Sequence, residues 1–165
     1  MNKLFLLTIL LTTLSQCGQP KSKTVINELG NYSIDILPNW SYQVDSANLS
    51  LAKVKDSVKG VIHVSTLTSE YNTLDESMYH YLHDMTSFFQ DARKIGDGVS
   101  DINGVKTIWY RMKASNNDMR QEVLLYNVQL DNRQLISLIC VAREDKFKDF
   151  EEEFNQMVFS FKELK

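Results

Sequence analysis

The chain has little cysteine, little proline and no surplus of positive charge. Two cysteines occur in 165 residues, Cys17 and Cys140, which leaves at most one disulfide. The two prolines, Pro20 and Pro38, argue against extensive disorder. Lys and Arg number 18 against 21 Asp and Glu, for a formal net charge of −3. Without a basic surplus to neutralise phosphates, nucleic acid is not an expected partner. The one apolar run near the start, Leu4–Leu11, is far too short to cross a bilayer. No P-loop, glycine-rich dinucleotide loop or Ser-His-Asp order is present, so no catalytic residue set and no cofactor are expected.

What remains is an ordinary globular composition, 43% hydrophobic and 24% charged, of a length that suits one domain plus an extension. Met1–Gln16 reads as a signal peptide: Lys3 supplies the positive start and Leu4–Leu11 the apolar core. Leu14-Ser15-Gln16-Cys17 then resembles the lipobox of bacterial lipoproteins, although a small residue normally stands where Gln16 does. The resemblance implies that Cys17 is thioether-linked to diacylglycerol and becomes the mature N-terminus. The chain would then be membrane-anchored through lipid, since each buried CH₂ contributes roughly 0.8 kcal/mol and two or three acyl chains hold firmly. Secretion without lipid is the plainer alternative. Removing residues 1–16 deletes Lys3 and shifts the formal charge to about −4. An acylated Cys17 leaves Cys140 unpaired; in "LISLICVA" it has no neighbouring cation and is expected as a buried, inert thiol. Residues 17–30 read as the acylated cysteine and a polar, flexible tether. "GQPKSK" after Cys17 has no acidic cluster of the kind that resembles a surface-export signal, which favours a periplasm-facing location in the cell envelope.

From residue 31 the pattern is that of a folded domain. "YSIDIL" (32–37) alternates and stops at Pro38-Asn39. "NLSLAKVK" (48–55) and "GVIHVSTL" (60–67) read as strands, with Lys59-Gly60 a bulge or turn between them. Thr73 and Glu76 form a capping box, and Leu74, Met78, Leu82, Met85 and Phe89 follow at helical spacing. The period then returns to two. "KIGDGVSDI" leads to the Asn103-Gly104 hairpin signal, "VKTIWYRMKA" and "QEVLLYNVQL" follow, and "QLISLICVA" is the most apolar strand and the expected centre. A closing helix from near Arg143 carries Phe147, Phe150, Phe154 and Met157 on one side and Glu151–Glu153 on the other. "VFSF" is expected to run out extended. The class is α+β: an antiparallel sheet of about six to seven strands flanked by helices.

Three stretches, "YSIDILPNW", "DINGVKTIWY" and "FKDFEEEFNQMVFSF", together resemble in order and spacing the PsbP/Mog1-like domain. The resemblance spans about residues 31 to 161, and the domain is expected over 31–165. It implies an α/β/α sandwich and a non-enzymatic role in binding other macromolecules, with no catalytic motif to carry over.

Few residues rise above a structural role. His80 and His83, three apart on the first helix, are weak metal candidates, with His63 or Asp84 as a third ligand; exposed helix residues are the plainer reading. "GDGVSDING" lacks the acids a calcium loop needs and reads as strand and turn. Glu144, Asp145, Asp149 and Glu151–Glu153 form either a solvated face or a docking face for a basic partner. Trp40 is expected to plug one end of the sheet, and Trp109 to be partly exposed. The function these features favour is a lipid-anchored, non-enzymatic binding or accessory domain acting on an envelope protein partner. Envelope small-ligand or metal binding is the alternative.

Overall fold

The structure, a computed structural model, describes residues 21–67, 73–117 and 119–165. The signal segment and Cys17 lie outside them. The elements run β1 (Lys23–Asn27), β2 (Tyr32–Ile36), β3 (Ser41–Asp45), β4 (Asn48–Lys55), β5 (Val58–Leu67), α1 (Leu74–Phe88), β6 (Gln90–Ile102), β7 (Val105–Asn116), β8 (Met119–Gln129), β9 (Leu135–Arg143), a 3-10 turn at Glu144–Lys146, α2 (Lys148–Val158) and β10 (Lys162–Glu163).

Seven strands form one antiparallel sheet in the order β3-β4-β5-β9-β8-β7-β6, and β1-β2-β10 form a second, small one. The class is α+β as the alternation implied. β9 lies at the centre of the large sheet, where its apolar run is shielded on both sides.

Alternation along the strands decides what each face meets. Leu49, Leu51, Ile62, Val64, Leu138 and Cys140 point to one face and are essentially buried. They meet α2 and the small sheet in a single core. On the other face Asn127, Ser137 and their neighbours meet α1: Asn127 Nδ2 donates to Ser77 Oγ at 3.3 Å. α1 starts where the capping box placed it, with Thr73 Oγ1 accepting from the Glu76 amide. It buries Leu74 and Met78.

Turns follow local chemistry. Pro38 and Asn39 close a turn in which the Trp40 amide donates to the Leu37 carbonyl, with Asn39 at φ 68, as a Pro-Asn pair favours. Asn103 (φ 53) and Gly104 (φ 87) both take the left-handed region that a two-residue hairpin needs. Asn103 Nδ2 also donates to the carbonyls of Phe159 and Phe161, each at 2.8 Å, which pins this hairpin to the end of α2.

Three expectations are corrected, and one strand is new. The tether does not extend to residue 30: Lys23–Asn27 pairs antiparallel with Tyr32–Ile36, so the folded domain begins eight residues before position 31. Its reason is Val25 and Asn27, which are buried, with Asn27 bonded to Ser46 and Gly30. The turn between β4 and β5 is Asp56–Ser57, both at positive φ, and not Lys59-Gly60. Gly60 lies within β5 because Phe150 of α2 packs there; a Cβ on Gly60 would come within 2.6 Å of the ring. "VFSF" is not extended: Val158 ends α2, Phe159 remains helical at φ −74, ψ −5, and the strand is Lys162–Glu163. β3 was not anticipated, since all five of its residues are exposed.

The dimple at Gly60 gives a direct test. Gly60→Ala overpacks the Phe150 contact and lowers stability in urea denaturation by about 1–3 kcal/mol, and Phe150→Leu in the same chain recovers part of that loss.

Candidate functional site

His80 and His83 are exposed on α1, and His83 Nδ1 lies 3.7 Å from the Asp84 carboxylate. His63 stands on β5 opposite Ser50, whose Oγ is 2.9 Å from its Nδ1. Partial burial and the nearby Lys59 hold the His63 imidazole below its ordinary value. No group of three or more His, Cys, Asp or Glu able to hold a metal ion occurs among the described residues. The Ser50–His63 pair is a cross-strand contact in mid-sheet with no carboxylate bonded to the other ring nitrogen among the described residues, so the arrangement lacks the third group that orients a catalytic base. Cys140 is fully buried and burial alone pushes its thiol far up, which makes it a poor nucleophile.

The acidic run proves to be mostly spoken for. Arg111 on β7 bridges two carboxylates: its Nε donates to Glu122 at 2.6 Å and its Nη1 to Glu151 on α2 at 2.6 Å. Its guanidinium also lies 5.0 Å from the centre of the Phe147 ring. Burial acts to lower the Arg111 value, but the bonds to Glu151 and Glu122 leave it raised overall. Glu153 accepts from Lys53 Nζ at 2.7 and 2.8 Å and from Trp40 Nε1 at 2.6 Å. Glu144 accepts from Lys113 Nζ at 2.9 Å. A docking face built on these acids is therefore replaced by a clamp between α2 and the sheet. Trp40 does plug an end of the core, against Phe150 and Phe154. Trp109 lies half-buried over Gly96 and Gly98, where a Cβ on Gly98 would come within 2.9 Å of Nε1.

A depression of about 910 Å³, open to solvent, lies at one end of the large sheet. Lys113, Met119, Arg120, Arg143 and Glu144 line it. Two smaller hollows adjoin it. One shares Lys113, Arg120 and Glu144 and adds Arg93; the other shares Met119 and Arg143 and adds Lys59, Val61 and Val141. All lie at the end of the large sheet where the β4–β5 and β7–β8 hairpins turn.

Five neighbouring strands, β5, β9, β8, β7 and β6 in sheet order, each bring one cation to this end: Lys59, Arg143, Arg120, Lys113 and Arg93. Adjacent strands lie about 4.8 Å apart, so the row spans roughly 20 Å. Register sets which face each side chain takes. Arg93 pairs with Lys113 and Gln121 with Arg143, so the row passes from the α2 side to the α1 side between β8 and β9. Lys113 is occupied by Glu144, and Arg143 by Asp145 at 2.5 Å. Lys59, Arg93 and Arg120 make no ion pair among the described residues. Glu144 is held below its ordinary range first by the Lys113 hydrogen bond, with Arg120 and Arg93 adding to it through space. The sequence reading missed this row because its members are scattered from 59 to 143. The only available signal was a Lys or Arg near the same end of each strand.

The architecture now bears comparison with known structures. No protein-family model matches the sequence, and no curated protein matches it significantly. Solved structures do match. The chain is similar to cyanobacterial PsbP (CyanoP) from Synechocystis, with a TM-score of 0.60 and 14% identity over 93% of this chain and 98% of that one.

The fold is PsbP/Mog1-like.

The Ran-binding protein Mog1p of Saccharomyces cerevisiae superposes with a TM-score of 0.61 at 11% identity, covering 87% of this chain and 96% of that one. LpqN of Mycobacterium tuberculosis, involved in cell envelope biogenesis, gives a TM-score of 0.61 at 14% identity over 88% and 91%. These likenesses speak to the PsbP/Mog1-like fold alone, since its surfaces diverge freely at such identities.

The clamp predicts a specific pH dependence. Burial acts to raise the Glu153 carboxyl, but Lys53 and Trp40 hold it below its ordinary 4.5. The unfolded chain therefore takes up this proton first as the pH drops. The stabilisation is complete above the ordinary value and lost as pH falls through the lowered one. Lys53→Met should cost about 1 kcal/mol at neutral pH, with a smaller difference from the parent chain in acid, read by urea denaturation across pH.

Proposed function

We propose that this protein is a lipid-anchored, non-enzymatic binding or accessory domain of a bacterial cell envelope, acting on a protein partner. The observation that carries the reading is the closeness of the lipobox-like cysteine to the fold: five residues, 18–22, separate Cys17 from the first strand at Lys23. A fully extended chain of that length spans about 20 Å, so a diacylglycerol on Cys17 would hold the domain against the membrane surface. No described helix is long and apolar enough to cross a membrane, which is compatible with attachment through an acylated Cys17.

Two further points support the reading. Among proteins of this fold, one is described as Ran-binding and another as involved in cell envelope biogenesis, so the fold can present a protein-binding surface. The charged side chains that join α2 to the sheet, Arg111 with Glu151 and Lys53 with Glu153, are bonded to one another as in a structural clamp. The envelope partner and the periplasm-facing placement belong to the same proposal.

Mass spectrometry of the protein purified from its own membranes tests the anchor. The expected mature chain begins at Cys17 and carries the added mass of diacylglycerol, and Cys17→Ser abolishes both the modification and the membrane association. A natural N-terminus elsewhere, without lipid, would remove the anchor and leave the fold.

A further inference from the structure

We infer that the basic end of the large sheet is a docking surface for anionic lipid headgroups and sets the orientation of the domain on its membrane. The inference rests on the acylated-cysteine reading for its geometry, but it makes a claim that reading does not: one named end of the molecule faces the bilayer.

The path of β1 gives the direction. Asn27, at its end, bonds the Ser46 carbonyl beyond β3, at the end of the sheet away from the cation row. Lys23, at its start, donates to the Tyr42 hydroxyl near the start of β3, on the side of Lys53 and the Asp56–Ser57 turn. β1 therefore enters from the basic end and runs away from it. Tyr42 pairs with Leu51, four residues short of Lys55; at about 3.3 Å per residue the entry point lies some 13 Å below the hairpin tip. Cys17, at most about 20 Å beyond Lys23, can just clear that tip. An anchor this short brings the basic end to the headgroups and cannot hold it far off.

The chemistry of the end suits that surface. Lys59, Arg93 and Arg120 lack ion-pair partners among the described residues, and Lys55, paired with Val58, is exposed next to Lys59. Glu144 and Asp145 are neutralised by Lys113 and Arg143, which leaves exposed Asp56 and Asp91 against Lys55, Lys59, Arg93 and Arg120 at this end. Met119, exposed at 53%, stands in the middle of the row as an apolar contact. The overall charge is negative, so the row is not part of a general basic excess. Each Lys or Arg near an anionic surface contributes roughly fivefold in partitioning, and such a patch adds a second signal to an acyl anchor. A broad open surface fits a bilayer better than it fits a small ligand, which is ordinarily enclosed.

The test uses the chain from residue 17 on, which contains every described element, with Cys17→Ser so that lipid cannot contribute. Sedimentation with phosphatidylglycerol–phosphatidylcholine vesicles at low ionic strength should recover the protein, and phosphatidylcholine alone should not. Replacing Lys59, Arg93 and Arg120 together by Gln should weaken recovery by on the order of a hundredfold. The same charge change at the opposite end, Lys106→Gln, Arg133→Gln and Lys162→Gln, should change it far less. Absence of binding to the anionic vesicles, equal binding to neutral ones, or equal loss from the two triple variants would overturn the inference. The mass of the native N-terminus is read separately, so a lipidated protein that ignores the vesicles refutes the docking surface alone. An unlipidated one that binds them refutes the anchor alone.

Discussion

The packing of α2 on the sheet is the contact on which the remaining structure depends. Phe147, Phe150 and Phe154 are fully buried, with Phe154 stacked on Phe150 and tilted against Phe147, and Phe150 enters a dimple that exists because residue 60 has no side chain. Burying three such rings contributes several kcal/mol, roughly 1.5–3 kcal/mol each. The charges flank this contact and do not drive it. Lys53, Arg111 and Lys113 are mostly covered but still reach solvent, and pairs of that kind contribute modestly; the first two join α2 to the sheet and the third joins the 3-10 turn before it. Glu122, only 6% exposed, needs Arg111, because a buried carboxylate left alone is costly.

Function follows from what that packing consumes. Once Glu144, Glu151 and Glu153 are engaged with the sheet, the acidic helix ceases to be an acidic surface. The cations of the outer strand ends, beyond the reach of α2, keep their charge. The chain thus carries a net negative charge with one positive end, and composition alone gave no hint of it. The same end receives the first strand, so the direction of the anchor and the sign of the surface agree.

Much of the fold was legible because its signals are local. The capping box at Thr73, the Asn103-Gly104 turn, the Phe stripe of α2 and the apolar run of β9 each state their structure within a few residues. β1 and β3 were not legible. β3 buries nothing, so it has no alternation to read, and it exists as an edge held by β4. β1 buries only Val25 and Asn27, too little apolar content to stand out from the polar stretch before it. Gly60 was misread because a glycine between two apolar runs suits a turn as well as a close approach, and the ring that decides the matter lies ninety residues later. The basic end was invisible for the same reason: five strands contribute one residue each, and only the sheet order brings them together.

Native-state hydrogen exchange resolved by residue tests the central contact most directly. If α2 and the sheet are one cooperative unit, the slowest amides of α2, β5 and β9 exchange with a single free energy equal to that of global unfolding. An α2 whose amides open well before those of β5 and β9 would contradict the account, since the sheet would then stand without the helix taken here to hold it.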